Sequence, residues 1–137
     1  MKKIGIVSLG VIALLVSTVS VVRAGLKNPP TNVYVYNAAN GYAYGVVGDA
    51  RNSTDNNQYI GCSVYKTMNG FKNVSCYAND ASGTNYTSCT TTNADLVDIV
   101  EHIGATSYLY FAKDGAGGTN CFAISISTYS YNRPMTP

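Results

Sequence analysis

Hydrophobic and polar residues alternate along most of the chain from residue 33 to residue 131, a pattern typical of half-buried β-strands. Short runs rich in Tyr, Val, Ile, Thr and Phe are bounded by Gly, Asn and Asp. The runs cover residues 33–36, 42–47, 58–66, 71–78, 84–91, 107–112 and 121–129. We therefore predict about six to seven short antiparallel strands, joined as hairpins in sequence order.

Turn residues support two of these hairpins. Asn40 and Gly41 separate the first two runs, and Asn-Gly is a strong hairpin signal. Met68, Asn69 and Gly70 separate the third run from the fourth. The run at 33–36 also suits a sheet edge that adds to the sheet of a second copy, but the hairpin with 42–47 is the simpler pairing.

One segment has helical spacing instead. Acidic residues lie between apolar residues that recur at i, i+3, i+4 and i+7. The apolar residues are Leu96, Ile99, Val100 and Ile103. Thr92 or Asn93 can cap the start of this helix, and Gly104 can end it. The predicted fold class is therefore α+β, mainly antiparallel β-sheet with one amphipathic helix at residues 93–103, stabilised by disulfides.

The N-terminus has the three-part pattern of a secretory signal peptide. Lys2 and Lys3 precede an apolar run at residues 4–22, and a small-residue pattern ends at Ala24. We expect cleavage after Ala24; a retained membrane helix is the competing interpretation. The leader resembles bacterial signal peptides, which indicates a secreted or periplasmic protein with no stable membrane anchor after cleavage.

The rest of the chain is short enough for a single domain. Residues 1–24 are the expected signal peptide, and residues 25–32, with Pro29 and Pro30, are an extended N-terminal arm. Residues 33–131 form a single β-rich domain, and residues 132–137 are a flexible tail.

Charge argues against nucleic acid as a partner. Cleavage removes Lys2, Lys3 and Arg23, so nine Lys and Arg residues become six while seven Asp and Glu residues stay. The formal charge then changes from +2 to −1, and no basic run is present to neutralise phosphates. We predict no nucleic-acid binding.

Four cysteines follow the leader, and an even number in an exported chain indicates two disulfides. Three connectivities are possible. A hairpin turning at residues 68–70 places Cys62 opposite Cys76, which favours the pairs Cys62–Cys76 and Cys89–Cys121. A zinc site is the less favoured interpretation, because no two cysteines have the close spacing of a structural zinc site.

Tyrosine is the most unusual component, with twelve Tyr and no Trp. Eight of them form i, i+2 pairs, which share one face of a strand: Tyr34 and Tyr36, Tyr42 and Tyr44, Tyr108 and Tyr110, Tyr129 and Tyr131. The alternating apolar positions are the expected core: Leu109, Phe111, Phe122, Ile124 and Ile126. Outward tyrosines either stabilise the sheet through cross-strand pairs or form a recognition surface.

Groups for catalysis are few. The chain has a single His, His102, which lies one helical turn after Asp98 and suits the end of a helix. Four Asp residues fall in predicted loops, where they act as turn formers or as a pair of catalytic carboxylates: Asp49, Asp55, Asp80 and Asp114. We predict no catalytic residue, no metal and no cofactor.

These observations favour a small exported non-catalytic binding or structural module, whose tyrosine stripes contact a protein, a glycan or another copy of the chain. Two alternatives stay open. One is a secreted hydrolase that uses the loop carboxylates. The other is a disulfide-stapled protease inhibitor, with residues 52–57 as its exposed loop.

Overall fold

A computed structural model of the chain describes residues 30–115 and 118–132. The predicted signal peptide at 1–24, the first part of the predicted arm at 25–32 and the tail from residue 133 lie outside the described residues. The end of the arm is tied to the domain, because the amide and hydroxyl of Thr31 both donate hydrogen bonds to Asp49. The amide of Val33 likewise donates to the Gln58 side chain.

The described residues form seven strands and two short helices. Their bounds are β1 Tyr34–Tyr36, β2 Tyr42–Val46, α1 Val47–Arg51, β3 Tyr59–Lys66, β4 Lys72–Asn79, β5 Tyr86–Thr91, α2 Ala94–Val100, β6 Ser107–Lys113 and β7 Cys121–Thr128. Each predicted strand overlaps one observed strand. The predicted α+β class, mainly antiparallel and disulfide-stabilised, is confirmed.

The strands divide between two sheets. One has the order β1-β2-β6-β7 and the other the order β3-β4-β5, with every neighbouring pair antiparallel. Four of these pairings are the expected hairpins between consecutive strands, whereas β2 pairs with the distant β6. Helix α1 directs the chain from β2 to the second sheet, and α2 returns it to the first.

Helix α1 is absent from the sequence prediction. It spans five residues directly after β2, and no side chain caps its start. A helix this short carries no amphipathic period, and Val47 continues the apolar pattern of the preceding strand. Its Asp49 and Ala50 are buried.

Helix α2 begins as predicted and ends earlier. The Asn93 side chain accepts hydrogen bonds from the amides of Asp95 and Leu96, at 3.0 and 3.2 Å. The helix ends at Val100 rather than at residue 103. Val97 is fully buried although it lies outside the predicted apolar stripe, so the helix is inserted more deeply into the core than that stripe implies.

The core lies between the facing sides of the two sheets. Its largest fully buried side chains come from both sheets and from α2: Phe111, Leu109, Val74, Val97 and Thr87. Ile124 is buried and Ile126 is partly buried against them. The predicted inward positions Leu109, Phe111, Ile124 and Ile126 therefore face the core.

The predicted core position Phe122 is wrong. The ladder between β6 and β7 is irregular beside Ala112 and Lys113: Ala112 pairs with Ala123 and Lys113 with Cys121, so Phe122 has no partner. This bulge shifts the alternation by one residue, and Cys121 is buried while Phe122 is 78% exposed. The burial of the cysteine thus decides where the phenylalanine points.

Both predicted disulfides are present, Cys62–Cys76 and Cys89–Cys121. The first joins directly opposed residues of β3 and β4. The second joins β5 of one sheet to β7 of the other, beside a hydrogen bond from the Thr90 amide to the Thr119 carbonyl at 2.7 Å. These bridges indicate an oxidising, extracellular type of environment.

The two phenylalanines provide a matched test of core placement. We expect Phe111→Ala to lower the free energy of unfolding by about 3–5 kcal/mol, because it leaves a cavity between the sheets. Phe122→Ala should change it by less than about 0.5 kcal/mol, since that ring is largely solvated. Urea unfolding of the oxidised proteins measures both, and equal losses would contradict the placement of Phe122.

The disulfides provide a second test. Removing Cys89–Cys121 by alanine substitution should cost about 3.7 kcal/mol and removing Cys62–Cys76 about 3 kcal/mol, because the longer loop restricts the unfolded chain more. The sequence separations are 32 and 14 residues. Denaturant unfolding of the two double variants gives the order, and a larger loss for Cys62–Cys76 would oppose this chain-entropy account.

A candidate binding surface formed by tyrosines

Six of the eight tyrosines predicted as candidate binding residues lie together on the outer face of the four-stranded sheet. They are Tyr34, Tyr36, Tyr42, Tyr44, Tyr108 and Tyr110, which we call the tyrosine surface. The pleat places each i, i+2 pair on one face. The register of the strands then aligns the tyrosine pairs of β1, β2 and β6. Tyr34 lies opposite Tyr44, and Tyr44 lies opposite Tyr110.

The rings of the tyrosine surface are in mutual contact. Ring centroids lie 5.1 Å apart between Tyr34 and Tyr44, and 5.3 Å apart between Tyr36 and Tyr42. Tyr42 reaches Tyr110 at 6.1 Å and Tyr44 reaches Tyr108 at 6.0 Å, so the contacts cross three strands. The contacts Tyr34–Tyr44, Tyr42–Tyr44 and Tyr44–Tyr108 are stacked, and the other three are tilted by 30–35°. All lie within the range of separations that aromatic pairs prefer.

Tyr129 and Tyr131 occupy a different place. They follow β7 rather than extending it, and their rings stack on each other at 4.9 Å with an interplanar angle of 7°. Both line a cavity together with Tyr108. The predicted pair therefore lies next to the tyrosine surface but outside its network of six rings.

Phe122 is the aromatic residue that the sequence analysis missed at this surface. The bulge in β7 turns it outward, where it lines a cavity of about 490 Å³ with Tyr42 and Tyr110. The signal was present in the sequence, because burying Cys121 for a disulfide requires its neighbour to point the other way. An aromatic face thus extends onto the edge strand β7.

Two phenols of this surface, Tyr42 and Tyr108, have a raised pKa. Desolvation among its neighbours raises the pKa of Tyr42, and the proximity of Tyr34 and a hydrogen bond with it raise the pKa further. Desolvation also raises the pKa of Tyr108, with Tyr44 as the next cause. Tyr42 and Tyr108 therefore present neutral hydroxyl groups near pH 7.

The prediction that four Asp residues lie in loops is wrong for Asp49, which lies on helix α1 because the chain continues from β2 directly into this helix. Asp49 is buried on α1, and Asp55 accepts hydrogen bonds from the Asn57 and Gln58 amides at 2.9 and 2.7 Å. Asp80 accepts from Ser82 and Asn85 in the turn between β4 and β5, where Gly83 has a φ of +73°. Asp114 follows β6 and lies beside the Phe122 cavity.

One pair of these carboxylates shares a cavity, which has a volume of about 180 Å³ and is lined by Asp49 and Asp55. Backbone hydrogen bonds from Gln58 and then Asn57 lower the pKa of Asp55 to about 2. Hydrogen bonds from Ser82 and Asn85 lower the pKa of Asp80 to about 2. Such carboxylates suit turn formation and are poor proton donors near pH 7.

The remaining groups considered for chemistry have structural contacts. The Nδ1 atom of His102 lies 2.8 Å from the carbonyl oxygen of Asp98 at the exposed end of α2. The loop at 52–57 is held against the domain, because the Asn57 side chain donates to the Ala81 carbonyl. The Sγ atoms of Cys76, Cys89 and Cys121 lie within 4.8 Å of one another, but all four cysteines are in disulfides.

Comparison of the chain with models of protein families, with curated proteins and with solved structures finds no match. Within residues 30–115 and 118–132, no helix has both the length and the apolar character needed to cross a membrane.

The hydrogen bonds that Asp55 accepts from the Asn57 and Gln58 amides make the free energy of unfolding depend on pH in the acid range. The pKa of Asp55 in the folded protein is about 2, below the ordinary value of 3.8. The ionised Asp55 side chain therefore stabilises the fold above about pH 4, and this contribution is lost as pH falls through about 2. Asp55→Asn should therefore be less stable than the parent protein at neutral pH and should approach it at about pH 2. Urea midpoints measured across this range test the expectation.

Asn56→Ser is the control for this measurement, since Asn56 is exposed in the same loop. It should keep the parent dependence on pH. A constant difference between Asp55→Asn and the parent protein at every pH would contradict the assignment.

Proposed function

We propose that this protein is an exported, non-catalytic binding module whose tyrosine surface contacts a partner protein. The observation that carries the proposal is the continuous set of six tyrosine rings in mutual contact on an outer sheet face. Export is supported by the leader-like residues 1–24 and by the two disulfides, and the leader favours a bacterial periplasm or medium.

The contacts among the rings favour a protein partner over a glycan. A sugar ring packs on a free aromatic face, whereas Tyr42 has ring neighbours on both adjoining strands and along its own strand. A ring with neighbours on three sides presents its edge and hydroxyl group outward. Edges and hydroxyls suit the mixed polar and apolar surface of a protein, where tyrosine is an enriched interface residue.

Preorganisation also supports binding. Each ring is held by its neighbours, so little side-chain freedom is lost when a partner docks. Tyr34 and Tyr36 on the edge strand β1 are 45% and 44% exposed, which leaves area for contact. The raised pKa values of Tyr42 and Tyr108 keep these two hydroxyl groups uncharged near pH 7, so their burial carries no ion desolvation cost.

A capture experiment tests this proposal. The oxidised protein is immobilised and exposed to native envelope and culture-medium fractions, and Tyr108→Ser/Tyr110→Ser is compared with the parent protein. We expect the double variant to weaken capture by about tenfold or more, because central interface tyrosines act as hot spots. Its disulfides and secretion should be unchanged.

Tyr77→Ser/Tyr86→Ser is the matched control. These tyrosines are 40% and 44% exposed on the other sheet, so the same number of rings is lost away from the tyrosine surface. Equal capture by both double variants would contradict the proposal. Binding to a glycan array, or self-association in sedimentation that depends on Tyr108 and Tyr110, would replace the partner protein with a glycan or a second copy.

A further inference from the structure

A cavity of about 300 Å³ lies beside the tyrosine surface, at the end of the sheet where Val46 and Tyr108 are paired. Its main lining residues are Asp49, Tyr108, Ser127, Tyr129, Tyr131 and Asn132. The volume is at the lower end of the range for small-molecule sites, about 300–1,000 Å³. None of the described residues that line it is basic.

Asp49 gives this cavity a charged wall. The side chain is 6% exposed, and its Oδ2 atom accepts hydrogen bonds from the amide and hydroxyl of Thr31 at 3.0 and 3.2 Å. Its Oδ1 atom is buried and has no hydrogen-bond partner. The ion pairs found among the described residues, Lys66–Glu101 and Lys72–Asp98, do not include it.

A buried carboxylate with one unpaired oxygen is unfavourable unless a positive charge or a donor satisfies it. The aromatic part of the lining suits a cation, because it includes the stacked pair Tyr129 and Tyr131 together with Tyr108. Ring faces attract ammonium groups electrostatically, and the attraction is stronger in a desolvated site.

From this geometry we propose that the cavity binds an organic ammonium group, with the Asp49 carboxylate accepting an N–H hydrogen bond and the tyrosine rings enclosing the alkyl chain. A calcium ion is disfavoured, since it takes six to eight oxygen ligands and this wall holds a single carboxylate. An anion is repelled by the negative charge of Asp49, and a neutral polyol leaves that charge uncompensated. The proposal is independent of whether the tyrosine surface binds a protein.

Isothermal titration of the oxidised protein with n-butylammonium tests the proposal. One cation–π contact and one charge-assisted hydrogen bond together correspond to a Kd of about 1 mM. We expect binding in that range, with a matching rise in Tm, and no binding of the neutral isostere 1-butanol. Equal binding of both probes, or no binding of n-butylammonium, overturns the proposal, as does a preference for Ca²⁺ or glucose.

Variants then assign the contacts. Asp49→Asn keeps the shape of the side chain and should weaken n-butylammonium binding by about tenfold or more. Asp95→Asn removes the same charge at an exposed position on α2 and should leave the Kd unchanged. If Asp49→Asn does not fold, Tyr131→Leu carries the test, with an expected loss of about three- to tenfold. Unchanged affinity in the folded variant overturns the assignment.

The ammonium group has two possible sources, a free amine or the lysine side chain of a partner. Comparing n-butylammonium with a short lysine-containing peptide separates them. Tighter binding of the peptide assigns the cavity to a protein ligand, and tighter binding of n-butylammonium assigns it to a free amine. Both results support an ammonium site, and failure of the partner capture described above leaves the titration unaffected.

Discussion

The two sheets meet at one covalent link, Cys89–Cys121, and much of the surface architecture depends on it. Cys121 must point into the core to reach Cys89, and the chain accommodates this through a bulge opposite Ala112 and Lys113. The bulge turns Phe122 outward, next to Tyr42 and Tyr110. A buried cross-link between the sheets is therefore coupled to the composition of the exposed aromatic face.

The pleat of the four-stranded sheet separates two chemistries. Leu109 and Phe111 on one side of β6 are buried against the second sheet, and Tyr108 and Tyr110 on the other side join the stacked rings. Strand pairing converts four separate tyrosines on β1 and β2 into a layer that continues onto β6. That layer forms an aromatic cover over the sheet while its hydroxyl groups face water.

Local patterns predicted most of the elements, because alternation, turn residues and capping act over a few positions. The strand containing Cys62, its turn at Gly70 and the opposed Cys76 are all encoded within one hairpin. The same holds for the Asn93 cap of α2. The connectivity of the disulfides followed from that one hairpin, since pairing Cys62 with Cys76 leaves a single choice for the other two cysteines.

Features that depend on distant residues were not predictable in this way. The pairing of Tyr44 with Tyr110 requires β2 to leave its hairpin neighbours and meet β6, which no local pattern encodes. The cavity lined by Asp49 is assembled from α1, β6, β7 and the segment after β7, which are far apart in the sequence. The sequence therefore indicated only an Asp residue in a predicted loop. The outward direction of Phe122 had one signal in the sequence, its position next to the disulfide cysteine Cys121, but alternation with Ile124 predicted the opposite direction.

The cross-links also set how far this domain can lengthen under mechanical tension. Residues between Cys62 and Cys76 and between Cys89 and Cys121 are enclosed in covalent loops, so a pull on the chain ends cannot extend them. Strands β1 and β2 lie before the first loop, whereas β6 lies inside the second. Four rings of the tyrosine surface are thus on extensible chain, and Tyr108 and Tyr110 are on chain whose contour length is fixed.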